Sequence, residues 1–491
     1  MKFFSLRPSI KNFSFVILFT ILTTLIFFAW RDLPKMIMRG DGFVYLVKRT
    51  QIQYWNPPST LANFDQGATL AARMLTSLFK ANISYYYWLE LIFLVIIGVL
   101  FFVFVYVITQ KISIAFMAAI IFSVNYFGNF NMFAAYGAYS FFLERIINMV
   151  MIIPSFIYLH LFLEKKLWKH FALSVVFYFF AVGLSHWFVL FTPAFCLYPI
   201  SWYLFREKNK KNFSRYVLTS FSYFFMSAFF ILLQQINQSG LNVKKWGFIE
   251  FLLHPQKFQY PEKIIRQLVY WTGYVPSYNY LPDVKMAISI TPYIIVLYLI
   301  INIISYVFLK NDKKYLIFWS FLSCLTIFYL NSYFGQYDIL NQYGANRYLY
   351  LPTFLLAIFW AVSLWLVFFK NSKKLFVVLG TFLVGLFYLM NSSLINDNFK
   401  LCFQWDKPTK LLYQYIINNN YKFPQNALII MPNNEFKVYE NEFFNDYLGK
   451  GDVFYVDDKD SRLANIKKGR RDIYEIKYSP DCDCVLENKI R

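Results

Sequence analysis

Apolar runs of about twenty residues recur along most of this chain, and a run of that length spans the hydrocarbon core of a bilayer, roughly 30 Å thick. They lie near 13–30, 88–108, 113–127, 146–163, 171–187, 188–205, 216–235, 288–309, 315–333, 347–369 and 375–394, which predicts about eleven crossings. Hydrophobic residues make up 58% of the chain, with 59 Phe and 39 Tyr, more apolar surface than a water-soluble fold of this length can hide. The expected fold is an all-α polytopic membrane bundle over 1–396, followed by a small water-soluble α/β domain over 397–491. The first run follows Lys2, Arg7 and Lys11 and leads into Arg31-Asp32-Leu33-Pro34 without a small-residue cleavage site, so it reads as an uncleaved span. The stretch 171–205 fits either one long tilted helix or a hairpin turning at Gly183-Leu184-Ser185-His186.

Charge decides how the spans are threaded. Residues 1–397 hold 33 Lys and Arg against 13 Asp and Glu, and residues 398–491 hold 15 against 14. The basic excess belongs to the membrane part, where it sets orientation and meets anionic lipid. No compact basic domain carries it, so nucleic acid is not an expected partner. Connections holding Lys165, Lys166 and Lys169, then Arg206, Lys208, Lys210, Lys211 and Arg215, then Lys310, Lys313 and Lys314, then Lys370, Lys373 and Lys374 share one side only if 171–205 is a hairpin. The short connections near 128–143 and 334–346 hold no Lys or Arg. This asymmetry places the N-terminus in the cytoplasm and the C-terminal domain outside the plasma membrane.

Two long segments, 31–87 and 236–287, fall on the outer side. They are rich in Trp, Tyr, Pro and Asn, a composition suited to interfacial helices that cover a site at the membrane surface. In the tail, Asp406–Asn420 reads as helix, and Ala427–Met431, Val453–Val456 and Ile473–Tyr478 read as strands. Cys482 and Cys484 are too close for a structural zinc pair, and Cys402 is a candidate partner for one of them in an oxidising compartment.

Several outer-side residues could carry chemistry. Asp41, in Arg39-Gly40-Asp41-Gly42-Phe43, fits a general base at the bilayer surface, though spacing alone favours an Asp that caps an interfacial helix or turn between glycines. Glu144-Arg145 precedes the fourth span. Glu144 either favours the helix N-terminus or orients reacting groups, and Arg145 could meet a phosphate. Arg347, in Asn346-Arg347-Tyr348-Leu349-Tyr350-Leu351-Pro352, can fork onto a lipid phosphate or snorkel to headgroups. Arg73 and His186 are further phosphate candidates, and His186 could instead cap the 171–205 turn. The four His show no metal-ligand spacing, no nucleophile motif is present, and neither metal nor cofactor is expected.

Taken together, the Gly40-Asp41-Gly42 start of the first outer segment, Arg73, Glu144-Arg145 and the Arg347-Tyr348-Leu349-Tyr350-Leu351-Pro352 string resemble the polytopic glycosyltransferases of the GT-C class. The similarity is nearest to protein O-mannosyltransferase-like and related bacterial enzymes, and it covers roughly 13–395. It implies a catalytic Asp in the first outer segment, matched here by Asp41. Where members carry an acidic pair this chain reads Asp41-Gly42, and where they carry a Ser-Lys-Glu-like string it reads Ser185-His186-Trp187. The resulting expectation is inverting, metal-independent transfer of a monosaccharide from a polyprenyl-phosphate donor to a protein, lipid or glycan hydroxyl on the outer face. Asp41 and Glu144 are its catalytic residues, and Arg347, Arg145, His186 and Arg73 bind the lipid phosphate. The alternative is a non-enzymatic translocator of lipid or polysaccharide that uses the same arginines for headgroups. A continuous polar path through the bundle would mark it.

Overall fold

The structure, a computed structural model, describes residues 10–36, 74–75, 77–80, 82–126, 147–184, 186–207, 212–238, 268, 271, 284–308, 311–334, 350–370, 374–424, 426–431, 453–457, 463–468 and 470–491. Helix occupies every apolar run named above. The helices are α1 (Ile10–Trp30), α2 (Ile83–Thr109), α3 (Ile112–Ser123), α4 (Ile147–Lys165), α5 (Trp168–Leu184), α6 (Thr192–Trp202) and α7 (Phe213–Gln238). They continue with α8 (Val284–Phe308), α9 (Asn311–Phe334), α10 (Tyr350–Leu364) and α11 (Lys374–Asn419). Hydrocarbon offers the backbone no hydrogen-bond partner, so a crossing segment satisfies its N–H and C=O groups internally as helix. Among the described residues, 5 stretches are long and apolar enough to cross a bilayer: Phe15–Lys35, Ile83–Thr109, Phe188–Glu207, Tyr350–Phe369 and Lys374–Gln404. The chain is a multi-pass membrane protein.

The stretch 171–205 doubles back on itself. α5 ends at Leu184, a 3-10 turn runs from His186 to Phe191, and α6 returns antiparallel. Tyr178 Oη on α5 lies 2.9 Å from Thr192 Oγ1 at the head of α6, and Lys166 before α5 pairs with Glu207 beyond α6 at 2.6 Å. Of the two readings the sequence left open, the hairpin is the one adopted.

Between the bundle's ends lies an aromatic core. Phe156 on α4 stacks on Phe195 of α6 with ring centroids 3.8 Å apart, and it also meets Phe104, Trp319 and Phe354 within 5.7 Å. Lipid tails are as apolar as these rings, so close packing and hydrogen bonds between helices hold the bundle together, and hydrophobic exclusion from water does not. Gly98 on α2 shows how close the approach is: a Cβ there would stand 2.4 Å from Ile26 Cδ1 of α1 and 2.6 Å from Ser123 Oγ of α3. The hydrogen bonds run from Ser155 of α4 to Ser174 of α5, and on to Tyr223 of α7 at 2.6 Å. Trp319 Nε1 of α9 donates to the Ala194 carbonyl of α6 at 2.7 Å.

α11 is 46 residues long, about 69 Å at 1.5 Å per residue, more than twice the hydrocarbon thickness. It therefore crosses and continues into the tail without a break. The boundary expected at 396/397 lies within α11, and the stretch expected as the first tail helix, Asp406–Asn420, is the C-terminal part of the same helix. Beyond it stands a four-stranded sheet in the order β2-β1-β3-β4, made of β1 (Leu428–Met431), β2 (Phe454–Asp457), β3 (Ile473–Ser479) and β4 (Cys484–Lys489). β1 pairs in parallel with β2 and β3, and β3 pairs antiparallel with β4. Alternation along the strands divides the sheet into two faces. Leu428, Ile430, Val456 and Ile473 pack under α12 (Leu463–Lys468), while Ile429, Met431, Tyr455 and Ile476 join the core that includes Leu412 and Ile416 of α11.

Cys482 and Cys484 are joined to each other, and Cys402 is a buried free thiol. The pairing considered for Cys402 is not made. The hairpin that carries the disulfide is fastened to α11 by Lys407, which donates to Asp483, and by Tyr415, which donates to Glu487. Burial, then the Glu487 carboxylate, pushes the Tyr415 phenol up to about 12. Hydrogen bonds from Lys407 and Tyr478 hold the Asp483 carboxyl below its usual value. A depressed carboxyl stabilises the fold above its unfolded value, and that contribution is lost as pH falls through the folded one. Hydrogen exchange at the β3–β4 turn is therefore expected to quicken below about pH 4, and Asp483→Asn should remove that dependence. In the bundle, Phe156→Ala empties the centre of the aromatic stack and is expected to cost about 3 kcal/mol, read as a lower thermal midpoint in detergent.

Candidate functional site

The two ends of the bundle are chemically different. At one end cations meet the carbonyls that close helices, groups that have no intrahelical partner and carry the negative end of the helix dipole. Lys313 Nζ donates to the Thr109 carbonyl of α2 at 3.0 Å, and Lys370 Nζ to the Phe308 carbonyl of α8 at 2.8 Å. Arg215 donates to the Lys166 carbonyl beyond α4 at 2.7 Å. Glu207 gathers Lys166, Asn212 and Tyr216. The Arg206 guanidinium lies 4.2 Å over the Trp202 ring and 3.7 Å from Glu164, which stands 3.4 Å from His160 Nε2. The other ring nitrogen of His160 is hydrogen-bonded to Tyr198 Oη at 2.8 Å. These contacts join residues from four basic connections at one end.

The opposite end is neutral and aromatic in its buried parts. Ser84 Oγ at the head of α2 donates to the Pro34 carbonyl at 3.1 Å, and Trp30 Nε1 at the foot of α1 donates to the Ser123 carbonyl that ends α3 at 2.9 Å. The Tyr126 N–H donates to Asn391 Oδ1 of α11 at 3.0 Å, and Asn391 Nδ2 donates to the Phe387 carbonyl at 3.0 Å. The Phe122 and Tyr350 rings meet at 5.6 Å. Trp271 Nε1 donates to Thr353 Oγ1 in the first turn of α10 at 2.7 Å. Asn125 and Asn148, at the end of α3 and the start of α4, are buried here as well.

Asp41, Arg73, Glu144, Arg145 and Arg347 lie outside the described residues, and so does the side chain of His186, whose backbone opens the 3-10 turn after α5. The described residues that flank them do share an end. Met36 closes the 3-10 turn Leu33–Lys35 that docks on the head of α2; Met74 follows Arg73; Ile147 opens α4 just after Arg145; and Tyr350 opens α10 just after Arg347. Each of these helix starts is opposite the cation-rich end. Among the described residues no group of His, Cys, Asp and Glu could hold a metal ion.

One acidic residue escaped the sequence reading. Glu90 stands in the second turn of α2, 2% exposed, and its Oε2 has no hydrogen-bond partner. It is the sole charged residue in the α2 sequence ISYYYWLELIFLVIIGVLFFVFVYVIT. A lone ionisable residue within a span is a signal in its own right, which a search for repeated charged series passes over.

Neither a protein-family model nor a curated protein sequence matches this chain. Among solved structures, the fold is similar to the archaeal oligosaccharyltransferase AglB from Archaeoglobus fulgidus, in complex with an inhibitory peptide and a dolichol-phosphate. The TM-score is 0.47 and the identity 11%, over 95% of this chain and 70% of that one. A likeness of this size transfers neither activity nor ligand.

Asn391 supports the point where α3 hands over to the connection leading towards Glu144. Asn391→Leu leaves the Tyr126 N–H without its acceptor, a loss of about 1–3 kcal/mol. Faster hydrogen exchange at Tyr126 and the following amides, with the cation-rich end unchanged, is the expected outcome.

Proposed function

We propose that the chain is a membrane glycosyltransferase that moves a monosaccharide from a polyprenyl-phosphate carrier to an acceptor hydroxyl. The observation that carries this reading is the division of the bundle into a cation-rich end and an end whose described buried residues are aromatic and, Glu90 apart, uncharged, with the flanks of all the candidate residues at the second. About eleven crossings, with the cation-rich end in the cytoplasm, put the neutral end and the C-terminal domain outside. The Cys482–Cys484 disulfide supports that placement, since such bonds persist in oxidising compartments.

In this reading Asp41 takes the proton from the acceptor hydroxyl as its oxygen attacks the anomeric carbon from the face opposite the phosphate. A bond forms between acceptor oxygen and anomeric carbon, the bond from that carbon to the phosphate oxygen breaks, and the electron pair leaves with polyprenyl phosphate. The configuration inverts. Arg347, Arg145, His186 and Arg73 neutralise the departing phosphate, and Glu144 orients the reacting groups. The sugar reaches the site from a lipid in the outer leaflet, and the acceptor is a protein, lipid or glycan. A translocator would need a polar route between the two ends, and the stack of Phe104, Phe156, Phe195 and Phe354 fills the middle of the described bundle.

Purified protein given labelled polyprenyl-phosphate hexoses and envelope acceptors is expected to release polyprenyl phosphate. Asp41→Asn should lower that release by about 10²-fold or more while leaving the thermal midpoint unchanged. Turnover by Asp41→Asn at the parent rate would remove Asp41 from the chemistry.

A further inference from the structure

Glu90 is a carboxyl inside a span, and a buried polar group without a partner is costly in an apolar medium. Around α2 the packing partners are α1, α3 and α4, and no ion pair or hydrogen bond from the described residues reaches the Glu90 carboxyl. Its depth is informative. Seven residues separate it from the helix start at Ile83, which is about 10 Å along the axis, so it sits below the surface of the neutral end rather than among headgroups. Tyr86 and Tyr87, one turn nearer that surface, are buried too, and the buried amides Asn125 and Asn148 end α3 and begin α4 at the same end of the bundle. Lys313, Lys370, Arg206 and Arg215 are engaged at the far end, and at the near end Arg31 and Lys35 pair with Asp32 rather than with Glu90.

Chemical complementarity narrows the ligand. A carboxyl one turn below two buried tyrosines repels a phosphate and accepts hydrogen bonds from hydroxyl groups, while flat aromatic rings suit the C–H faces of a sugar ring. We propose that Glu90 is a sugar-binding residue, receiving hydroxyl groups of the carrier-linked monosaccharide at the neutral end of the bundle. This rests on the glycosyl-transfer reading and adds to it the part of the donor that α2 recognises. The phosphate falls to the arginines and the sugar to the carboxyl, so discrimination between a charged carrier and an empty one resides in Glu90.

The test compares lipids that differ only in the sugar. Full-length protein in detergent is titrated with polyprenyl-phosphate glucose, mannose and galactose, and with polyprenyl phosphate bearing no sugar. The parent protein should bind at least one hexose lipid more tightly than the bare phosphate. Glu90→Leu should erase that preference, weakening the hexose lipid about tenfold, with the bare lipid's affinity and the thermal midpoint not lowered. Glu90→Gln, which keeps shape and one acceptor, should retain part of it. A Glu90→Leu variant that keeps the full sugar preference would overturn this inference and leave the glycosyl-transfer reading standing. Equal weakening of both lipids together with a lower midpoint would make Glu90 a packing residue. A parent protein that prefers no hexose lipid would sink the glycosyl-transfer reading and this inference with it.

Discussion

At one end of the bundle the carbonyls that close α2 and α8, and the carbonyl just beyond α4, each meet a cation from elsewhere in the chain: Lys313 at Thr109, Lys370 at Phe308 and Arg215 at Lys166. Each contact does two things. It satisfies a group that the helix leaves unpaired, and it fixes which helix ends lie side by side. Once these ends are gathered, the opposite ends of the same helices are gathered as well, across some three hundred residues of sequence. The end that flanks the candidate residues is thus assembled by contacts at the opposite end.

The same arrangement explains the contrast in polarity. Positive charge is favourable near anionic headgroups and near helix C-termini, and here both conditions hold at one end. In the described parts of the other end the buried residues are Trp, Tyr, Asn and one carboxyl, while Arg31 and Lys35 pair with Asp32 at its surface. Among the described residues the aromatic core around Phe156 stands between the two ends.

Much of this was legible in the sequence because the bilayer imposes a period and a length on what may cross it. Apolar run and helix agree from α1 to α11, and the basic connections alone required the hairpin at 171–205, which the Lys166–Glu207 pair closes. The strands β1 to β3 were visible as short β-branched runs. What was not legible depended on continuity or on a single residue. The domain boundary expected at 396 falls inside α11, because the polar residues from Asn391 onward, which end the hydropathy signal, do not end the helix. β4 went unread because Cys484–Lys489 is polar and pairs only with β3 at the sheet edge. Glu90 went unread because one carboxyl barely alters the hydropathy of a long apolar run, although its burial without a partner is the most informative local fact about α2. Of the candidate site residues, the flanks of Asp41, Arg73, Glu144, Arg145 and Arg347 could be placed at one end, while the residues themselves lie outside the described ones.

The account stands on the bundle having a cytoplasmic cation-rich end and an external neutral end, and thiol labelling across the membrane tests that directly. Single cysteines at Lys169, in the first turn of α5, and at Asn488, in β4, are exposed to a membrane-impermeant maleimide in intact and in permeabilised cells. The account predicts that the cysteine at 488 is labelled in intact cells and the one at 169 only after permeabilisation. Labelling at 169 in intact cells, with 488 protected until the membrane is opened, would place the neutral end inside and contradict it.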